Sequence, residues 1–292
     1  MENISSAPFL SGYTYRTIAS HAICDIGDTS YMKKYSTGID PNKINDGELL
    51  YVTGNQVKKF FKEIAPRIKC RFSVITAQWD FGPDDTFLDL LPDNLITWWT
   101  INCHVNHHKV KSVPLGLQNL HWRFDGNIQS DPETYKKYKS NPKEKKILGS
   151  FSVHNNHHER STCLNAAEKI NCDFRMFKPE YRKNESYVDD YFNVASRYKF
   201  VLCPWGAGVD THRLWETLYL GSIPITRHHR VYRDFKDFPI LFLDDWLELI
   251  EIDFESTYNY YKEKLQTEHR IYFIFGKMKS PYDYQHELHT RT

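Results

Sequence analysis

One segment, residues 199–226, constrains the fold more than any other, because a strand, a glycine loop, a helix and a second strand follow one another in it. Its apolar start, 199–203, is typical of a buried parallel strand, which a loop containing Gly206 and Gly208 then ends. Extended residues resume at 223–226, after the helix. This order predicts a parallel sheet with helices between its strands.

The helix of this segment carries polar residues that indicate a binding site. Asp210 or Thr211 can cap its amino terminus, and Gly221 ends it. Arg213 and Glu216 lie one turn apart on one face, near free N–H groups that favour an anion. An arginine there can bind phosphate oxygens, and a glutamate can accept ribose hydroxyls, so we predict a site for a nucleoside diphosphate. A pair with this spacing is also common as surface decoration.

The run SRYKFVLCPWGAGVDTHRLWETLYLGSIPI, residues 196–225, resembles the signature of exostosin-like glycosyltransferases. In that signature a strand, a Pro-x-Gly loop, an Arg-x-x-Glu helix and a Gly-x-x-Pro turn hold a nucleotide sugar. Short members of the family, including those carried by large DNA viruses of algae, are similar to this chain at residues 49–80, 92–103, 110–122 and 149–160.

The resemblance implies an α/β fold of the GT-B type, with two Rossmann-like domains facing across a cleft. We expect an acceptor-side domain at residues 1–125, a polar linker at 126–145, a nucleotide-sugar domain at 146–265, and a helical tail at 266–292 that crosses back to the first domain. The implied activity is transfer of a sugar from a UDP-sugar to a glycan hydroxyl with inversion. Similarity to the viral enzymes makes UDP-xylose a candidate donor.

Composition limits which kinds of partner and which cellular location we expect for the protein. The 292 residues include 38 Lys and Arg and 37 Asp and Glu, and this balance argues against a nucleic-acid binder that relies on a basic field. No run of 18 apolar residues occurs, and the first 30 residues lack the pattern of a signal peptide. The six cysteines show no C-x-x-C spacing and are interpreted as reduced thiols. We therefore expect a cytoplasmic protein without a membrane anchor, in the host cytoplasm if it is viral.

The expected donor site combines the glycine loop with the starts of two helices. Arg160 begins the other helix, and the resemblance implies that it reaches the second phosphate, although its sequence position also fits a solvated surface arginine. His212 either donates to the diphosphate as a neutral imidazole or is simply exposed. The expected donor-binding residues are Arg160, Trp205, Gly206, Gly208, Asp210, Thr211, His212, Arg213 and Glu216.

No metal is expected in the site, because the sequence has no Asp-x-Asp and metal-dependent sugar transfer usually needs paired carboxylates. Arginines and the helix terminus would then meet the charge of the leaving diphosphate. Histidines cluster at 104–108 and at 154–158 without a cysteine or carboxylate at zinc-ligand spacing. Two alternatives stay open: a zinc-dependent hydrolase that uses these histidines, and a non-catalytic module that binds glycans or nucleotide sugars.

Direct displacement at an anomeric carbon needs a base for the acceptor hydroxyl. Asp80 is the candidate, because it follows a predicted strand at 71–77, and ligands collect at the carboxyl ends of parallel strands. Its alternative role is a turn-forming aspartate. The reserve candidates are Asp25, Asp28 and His107, and the expected acceptor-binding residues are Trp79 and His107.

Overall fold

The computed structural model describes residues 10–24, 36–118, 132–176 and 185–265. Within these ranges the chain divides after Val113 into two units, each built on a five-stranded sheet whose strands are all parallel. The predicted fold class, two parallel-sheet α/β domains, is therefore confirmed. None of the described helices is long and apolar enough to cross a membrane.

The sheet of the first unit has its strands in chain order, from β1 at one edge to β5 at the other. The strands are β1 His21–Ile23, β2 Glu48–Thr53, β3 Phe72–Ala77, β4 Leu95–Thr100 and β5 Val110–Ser112. A helix, α1 Gly12–Ile18, precedes β1, and α2 Val57–Lys59 continues as a π-helical turn, Phe60–Ile64, on the way to β3. The strand predicted at 71–77 is observed at Phe72–Ala77.

Aromatic side chains fill the core of the first unit. Trp98 is fully buried, its ring centroid lies 4.7 Å from that of Phe61, and its indole N–H donates to the Thr76 hydroxyl at 3.1 Å. Thr76 in turn donates to Thr100 on the neighbouring strand at 2.8 Å. This chain of bonds satisfies the buried indole N–H of Trp98 and the hydroxyl of Thr76, as burial requires.

In the second unit the strand order reverses. The strands are β6 Lys145–Gly149, β7 Asp173–Phe174, β8 Tyr198–Leu202, β9 Ile223–Arg227 and β10 Leu241–Leu243. The helices are α3 Pro132–Lys139, α4 His157–Lys169, α5 Glu185–Ala195, α6 His212–Tyr219 and α7 Phe254–Leu265. Across the sheet the order is β10-β9-β8-β6-β7. After β6 the chain forms β7 on one side of that strand, and it then crosses over to form β8 on the other side. Such a reversal opens a crevice at the carboxyl ends of the two strands, where open α/β sheets bind ligands.

The region expected to be an exposed linker, 126–145, differs from that expectation where the structure describes it. It forms α3, whose Tyr135 is buried with its ring 4.7 Å from that of Phe192. The Lys143 ammonium then donates to the carbonyls of Ser196 and Leu220, at 2.5 and 2.7 Å, at the ends of two helices. The lysine-rich composition gave no sign that Tyr135 is buried or that Lys143 bonds to residues distant in sequence. Of the predicted tail, α7 ends at Leu265, and 266–292 lie outside the described residues.

The loop after β3 is fixed by backbone conformations that are uncommon for side-chain-bearing residues. Gln78 and Gly82 have φ of 61° and 64°, and Asn102, in the loop after β4, has φ of 47°. The Asn102 side chain donates to the carbonyl of Trp79 at 3.3 Å, and a Cβ on Gly82 would lie 1.7 Å from the Asn102 carbonyl oxygen. The two loops are therefore pressed together at the carboxyl end of the sheet, and glycine is required at 82.

We predict that Gly82→Ala destabilises the first unit much more than Gly38→Ala does. Both glycines have positive φ, so both variants carry the left-handed penalty of about 1–2 kcal/mol. Only Gly82 lacks space for a methyl group, whereas nothing lies within 4 Å of a Cβ on Gly38. Overpacking should cost Gly82→Ala about 1–3 kcal/mol more in the free energy of unfolding, measured by denaturant titration. Equal losses in the two variants would contradict the close approach to Asn102.

Candidate functional site

The predicted donor residues lie on elements that follow β6 and β8, at the carboxyl edge of the second unit's sheet. The loop after β6 leads to the start of α4, and the loop after β8 leads to the start of α6, so two loops and two helix amino termini follow adjacent strands at the point of reversal. This arrangement follows from the parallel sheet, because carboxyl ends of parallel strands meet at one edge.

Arg160, in the first turn of α4, joins these two loops. Its Nε donates to the Trp205 carbonyl at 2.8 Å, and its Nη1 donates to the Ser152 carbonyl at 2.6 Å. The neighbouring Asn156 caps α4 by accepting from Glu159 N–H, and it also donates to the Gly206 carbonyl at 3.2 Å. Arg160 therefore fixes the glycine loop through backbone bonds, a role that its sequence position did not reveal.

The two predicted glycines shape that loop. Gly206 N–H donates to the Gly208 carbonyl at 2.9 Å, which closes the turn. A Cβ on Gly206 would lie 3.0 Å from Nη2 of Arg160, closer than side-chain carbons normally come to another atom. Glycine at 206 is therefore what allows the arginine to lie against the loop.

At the amino terminus of α6, Thr211 holds the cap position without a capping bond from its side chain. Asp210 is buried at 2% exposure instead of capping: it accepts from the Trp215 indole at 2.9 Å and from Leu115 N–H at 2.8 Å. Burial raises the pKa of this carboxyl to about 7, against the lowering effect of its hydrogen bonds. Asp210 thus anchors the helix to residues that begin the second unit, and the expectation that its side chain caps the helix is wrong.

His212 also bonds to the first residues of the second unit. Its Nδ1 lies 2.8 Å from the Gly116 carbonyl, and a carbonyl only accepts, so the proton must be on Nδ1. A neutral imidazole of that tautomer has only an acceptor at Nε2. The predicted donation to a phosphate therefore requires the charged form of His212, because only imidazolium has a second N–H.

Arg213 and Glu216 occupy the first two turns of α6, as the spacing indicated. Arg213 donates to the Tyr191 hydroxyl at 2.7 Å, and its guanidinium carbon lies 4.8 Å from the centre of that ring. Glu216 is 1% exposed, on a helix whose Leu214 and Trp215 are also buried. A carboxylate at that depth is not surface decoration, and buried charges need hydrogen-bonding partners.

Sequence reasoning missed a buried ion pair beside the glycine loop. The Glu159 carboxylate, 4% exposed, accepts from the Trp246 indole at 3.0 Å and lies 3.4 Å from Nη1 of Arg227. Burial raises the pKa of Glu159, which Arg227 and the indole oppose. The Arg227 guanidinium carbon lies 4.8 Å from the centre of the Trp205 ring. One signal was present: Arg227 is the last residue of a strand, where ligand contacts concentrate.

The predicted acceptor-side residues all follow strands of the first unit. Asp80 is exposed in the loop after β3. Trp79 is half-buried, with its ring centroid 5.6 Å from that of Phe87, and it packs against the core of the unit. His107 Nδ1 accepts from Lys109 N–H at 3.3 Å; partial burial, followed by the charges of His108 and Lys109, lowers its pKa.

Two of the reserve candidates, Asp25 and Asp28, lie outside the described residues. Within the described ranges, no three His, Cys, Asp or Glu side chains are grouped so that they could hold a metal ion. All six cysteines are free thiols.

No family model matches the chain, and no curated protein sequence does. Solved structures with a related course of the backbone include the pneumococcal O-GlcNAc transferase GtfA in complex with UDP and GlcNAc, at 10% identity and a TM-score of 0.42, covering 81% of this chain and 57% of that one. They also include TarM, at 9% identity and a TM-score of 0.43, covering 81% of this chain and 55% of that one. A third, from E. coli, is described as trehalose-6-phosphate bound with UDP-2-fluoro glucose; it has 9% identity and a TM-score of 0.44, and covers 80% of this chain and 73% of the other. The chain thus spans a little over half the length of the first two proteins.

Proposed function

We propose that the protein is a glycosyltransferase that moves a sugar from a UDP-sugar to a hydroxyl group of a glycan. The observation that carries this proposal is the reversal of the strand order between β6 and β8 in the second unit, a position at which open α/β sheets bind ligands. The glycine loop, the start of α6 and the side chains of Arg160 and Arg213 belong to that edge of the sheet. The resemblance of residues 196–225 to exostosin-like enzymes supports the same assignment.

In this proposal the donor binds with its diphosphate toward the glycine loop and the amino terminus of α6. The dipole at the amino terminus of α6, Arg213 and the charged form of His212 supply the positive potential. Glu216, one turn further along, accepts the ribose hydroxyls. Arg160 supports the site by holding the loop in place.

The chemical step is a single displacement with inversion. Asp80 takes the proton of the acceptor hydroxyl, whose oxygen forms a bond to the anomeric carbon. The bond between that carbon and the distal phosphate oxygen breaks, and UDP leaves with the electron pair. Arginines and the helix terminus stabilise the charge that develops on the diphosphate, without a divalent ion. Xylose is the candidate sugar, on the resemblance to the viral enzymes alone.

We predict that Glu216→Gln weakens UDP binding by about 10- to 100-fold, because hydrogen bonds to a charged group are worth about 1.5–3 kcal/mol. Glutamine keeps the volume of this buried side chain, so folding should be preserved. Calorimetry with UDP and with 2′-deoxy-UDP makes the comparison: the deoxy ligand should lose less in the variant than UDP does. Glu168→Gln, an exposed glutamate on α4, serves as the control. Unchanged UDP affinity in folded Glu216→Gln would remove Glu216 from the donor site.

Sugar transfer, or slow hydrolysis of the donor when no acceptor is present, should persist in excess EDTA. The reason is that arginines and a helix terminus, and not carboxylate-bound metal, meet the diphosphate charge. The measurement is UDP release with EDTA and with added manganese or zinc. Activity that EDTA removes and manganese restores would contradict metal independence, and restoration by zinc would favour a hydrolase.

Asp80→Asn should lower kcat by about a hundredfold or more with UDP affinity unchanged, because asparagine forms the same turn but cannot accept the proton. Asp85→Asn, in the same acidic stretch, is the control and should keep normal turnover. Both variants are assayed at saturating donor and acceptor. A kcat for Asp80→Asn within about threefold of the parent, far below the contribution of a general base, would make Asp80 a turn residue and move the search to the reserve candidates.

A further inference from the structure

We propose that Arg227 binds the distal phosphate of the donor and that Glu159 is the positioning residue that orients Arg227. Both roles rest on the proposed function. This assigns to Arg227 the contact that the sequence had suggested for Arg160. Arg227 lies outside the run 196–225 that carries the exostosin-like signature, and Glu159 lies in the looser similarity at 149–160.

The first step of the argument is that Arg160 is already occupied by the backbone. Two of its nitrogens donate to carbonyls at 2.6 and 2.8 Å, and a third lies against Gly206. Moving this guanidinium onto a phosphate would break the bonds that join the loops after β6 and β8. A second cation is therefore needed if the loop is to keep its shape while a diphosphate binds.

Arg227 can be that second cation, because it lies next to the glycine loop. It ends β9, the strand that pairs with β8 on the side away from β6, and its guanidinium stacks on Trp205 in the glycine loop at 4.8 Å. Its side chain is 27% exposed, whereas the carboxylate of its partner Glu159 is 4% exposed. The carboxylate of Glu159 is therefore shielded from solvent, whereas the guanidinium of Arg227 is partly accessible to it.

The bonding of Arg227 is incomplete in the described structure. Its one ion pair is to Glu159 through Nη1, and its Nε, although buried, has no hydrogen-bond partner there. Trp205 Nε1, in the ring beneath it, is also buried without a partner. Unsatisfied donors of this kind cost stability and are expected where a ligand supplies the acceptor. A phosphate presents several oxygens to a guanidinium, which suits that need.

A purely structural role explains this pair poorly. Buried ion pairs seldom stabilise a fold more than apolar residues of the same volume would. What the pair does provide is orientation: Glu159, held by the Trp246 indole at 3.0 Å, fixes one end of the guanidinium and the Trp205 ring fixes its plane. Preorganised charge of this kind is what binding of a diphosphate uses.

The test separates the phosphate contact from general support of the site. Affinities for uridine, UMP and UDP are measured by calorimetry, and inorganic pyrophosphate is measured the same way. The variants are Arg227→Met, Glu159→Gln and the double variant, which removes both charges and so avoids leaving one buried and unpaired. Arg197→Met, at the amino end of β8, is the matched control.

We expect the parent to bind UDP about tenfold or more tighter than UMP, and Arg227→Met and the double variant to reduce that ratio to within about threefold while UMP affinity stays constant. Glu159→Gln should reduce the ratio in part, and the control should not change it. Equal weakening of uridine, UMP and UDP, or an unchanged ratio, would overturn the inference. If the parent binds no uridine compound but binds pyrophosphate through Arg227, the UDP-sugar proposal fails and the phosphate assignment stands; binding of neither overturns both.

Discussion

The bonds from Arg160 to two backbone carbonyls are the interaction on which the candidate site depends. The loops after β6 and β8 belong to strands that pair, yet nothing in a parallel ladder fixes the path of the chain beyond the last residue of each strand. A guanidinium with bonds to Ser152 and Trp205 does so, because its rigid planar fork sets both distances and directions. The position of Trp205, and with it that of Arg227, follows from this contact.

The start of α6 is fixed by a different device, which is a pair of bonds to the first residues of the second unit. Asp210 accepts from Leu115 N–H, and the protonated Nδ1 of His212 donates to the Gly116 carbonyl. Both residues were expected to face a ligand, and in the structure both bond to the backbone and set where the helix begins. The side chains of Asp210 and His212 therefore fix where the amino terminus of the helix lies. Arg213, the next residue, is positioned by the same contacts.

The sequence predicted elements well where one local pattern decides the outcome, and poorly where the partner is distant. The strand at 71–77 and the strand, helix and strand of 199–226 follow from apolar runs and glycine positions that are neighbours in sequence. By contrast, the bond from Leu115 N–H to Asp210 joins positions 95 residues apart, and the ion pair of Glu159 with Arg227 joins the first turn of α4 to the end of β9. No periodicity records such contacts, since they depend on how strands are ordered in the sheet and not on the strands themselves. Topology, and not composition, decides which charged residues become part of the site.

Two of the buried carboxylates, Asp210 and Glu159, make this site costly for the fold. Burial raises the pKa of Asp210 to about 7 and also raises that of Glu159. A carboxyl group whose folded pKa lies above its unfolded value contributes most stability below the unfolded pKa, near pH 4, and loses that contribution as the pH rises through the folded pKa. For Asp210 the loss falls between about pH 4 and 7, so the anchorage of α6 is least favourable at neutral pH. A group that lowers stability under working conditions while holding a ligand-binding helix in place is characteristic of a site where function constrains the sequence more strongly than stability does.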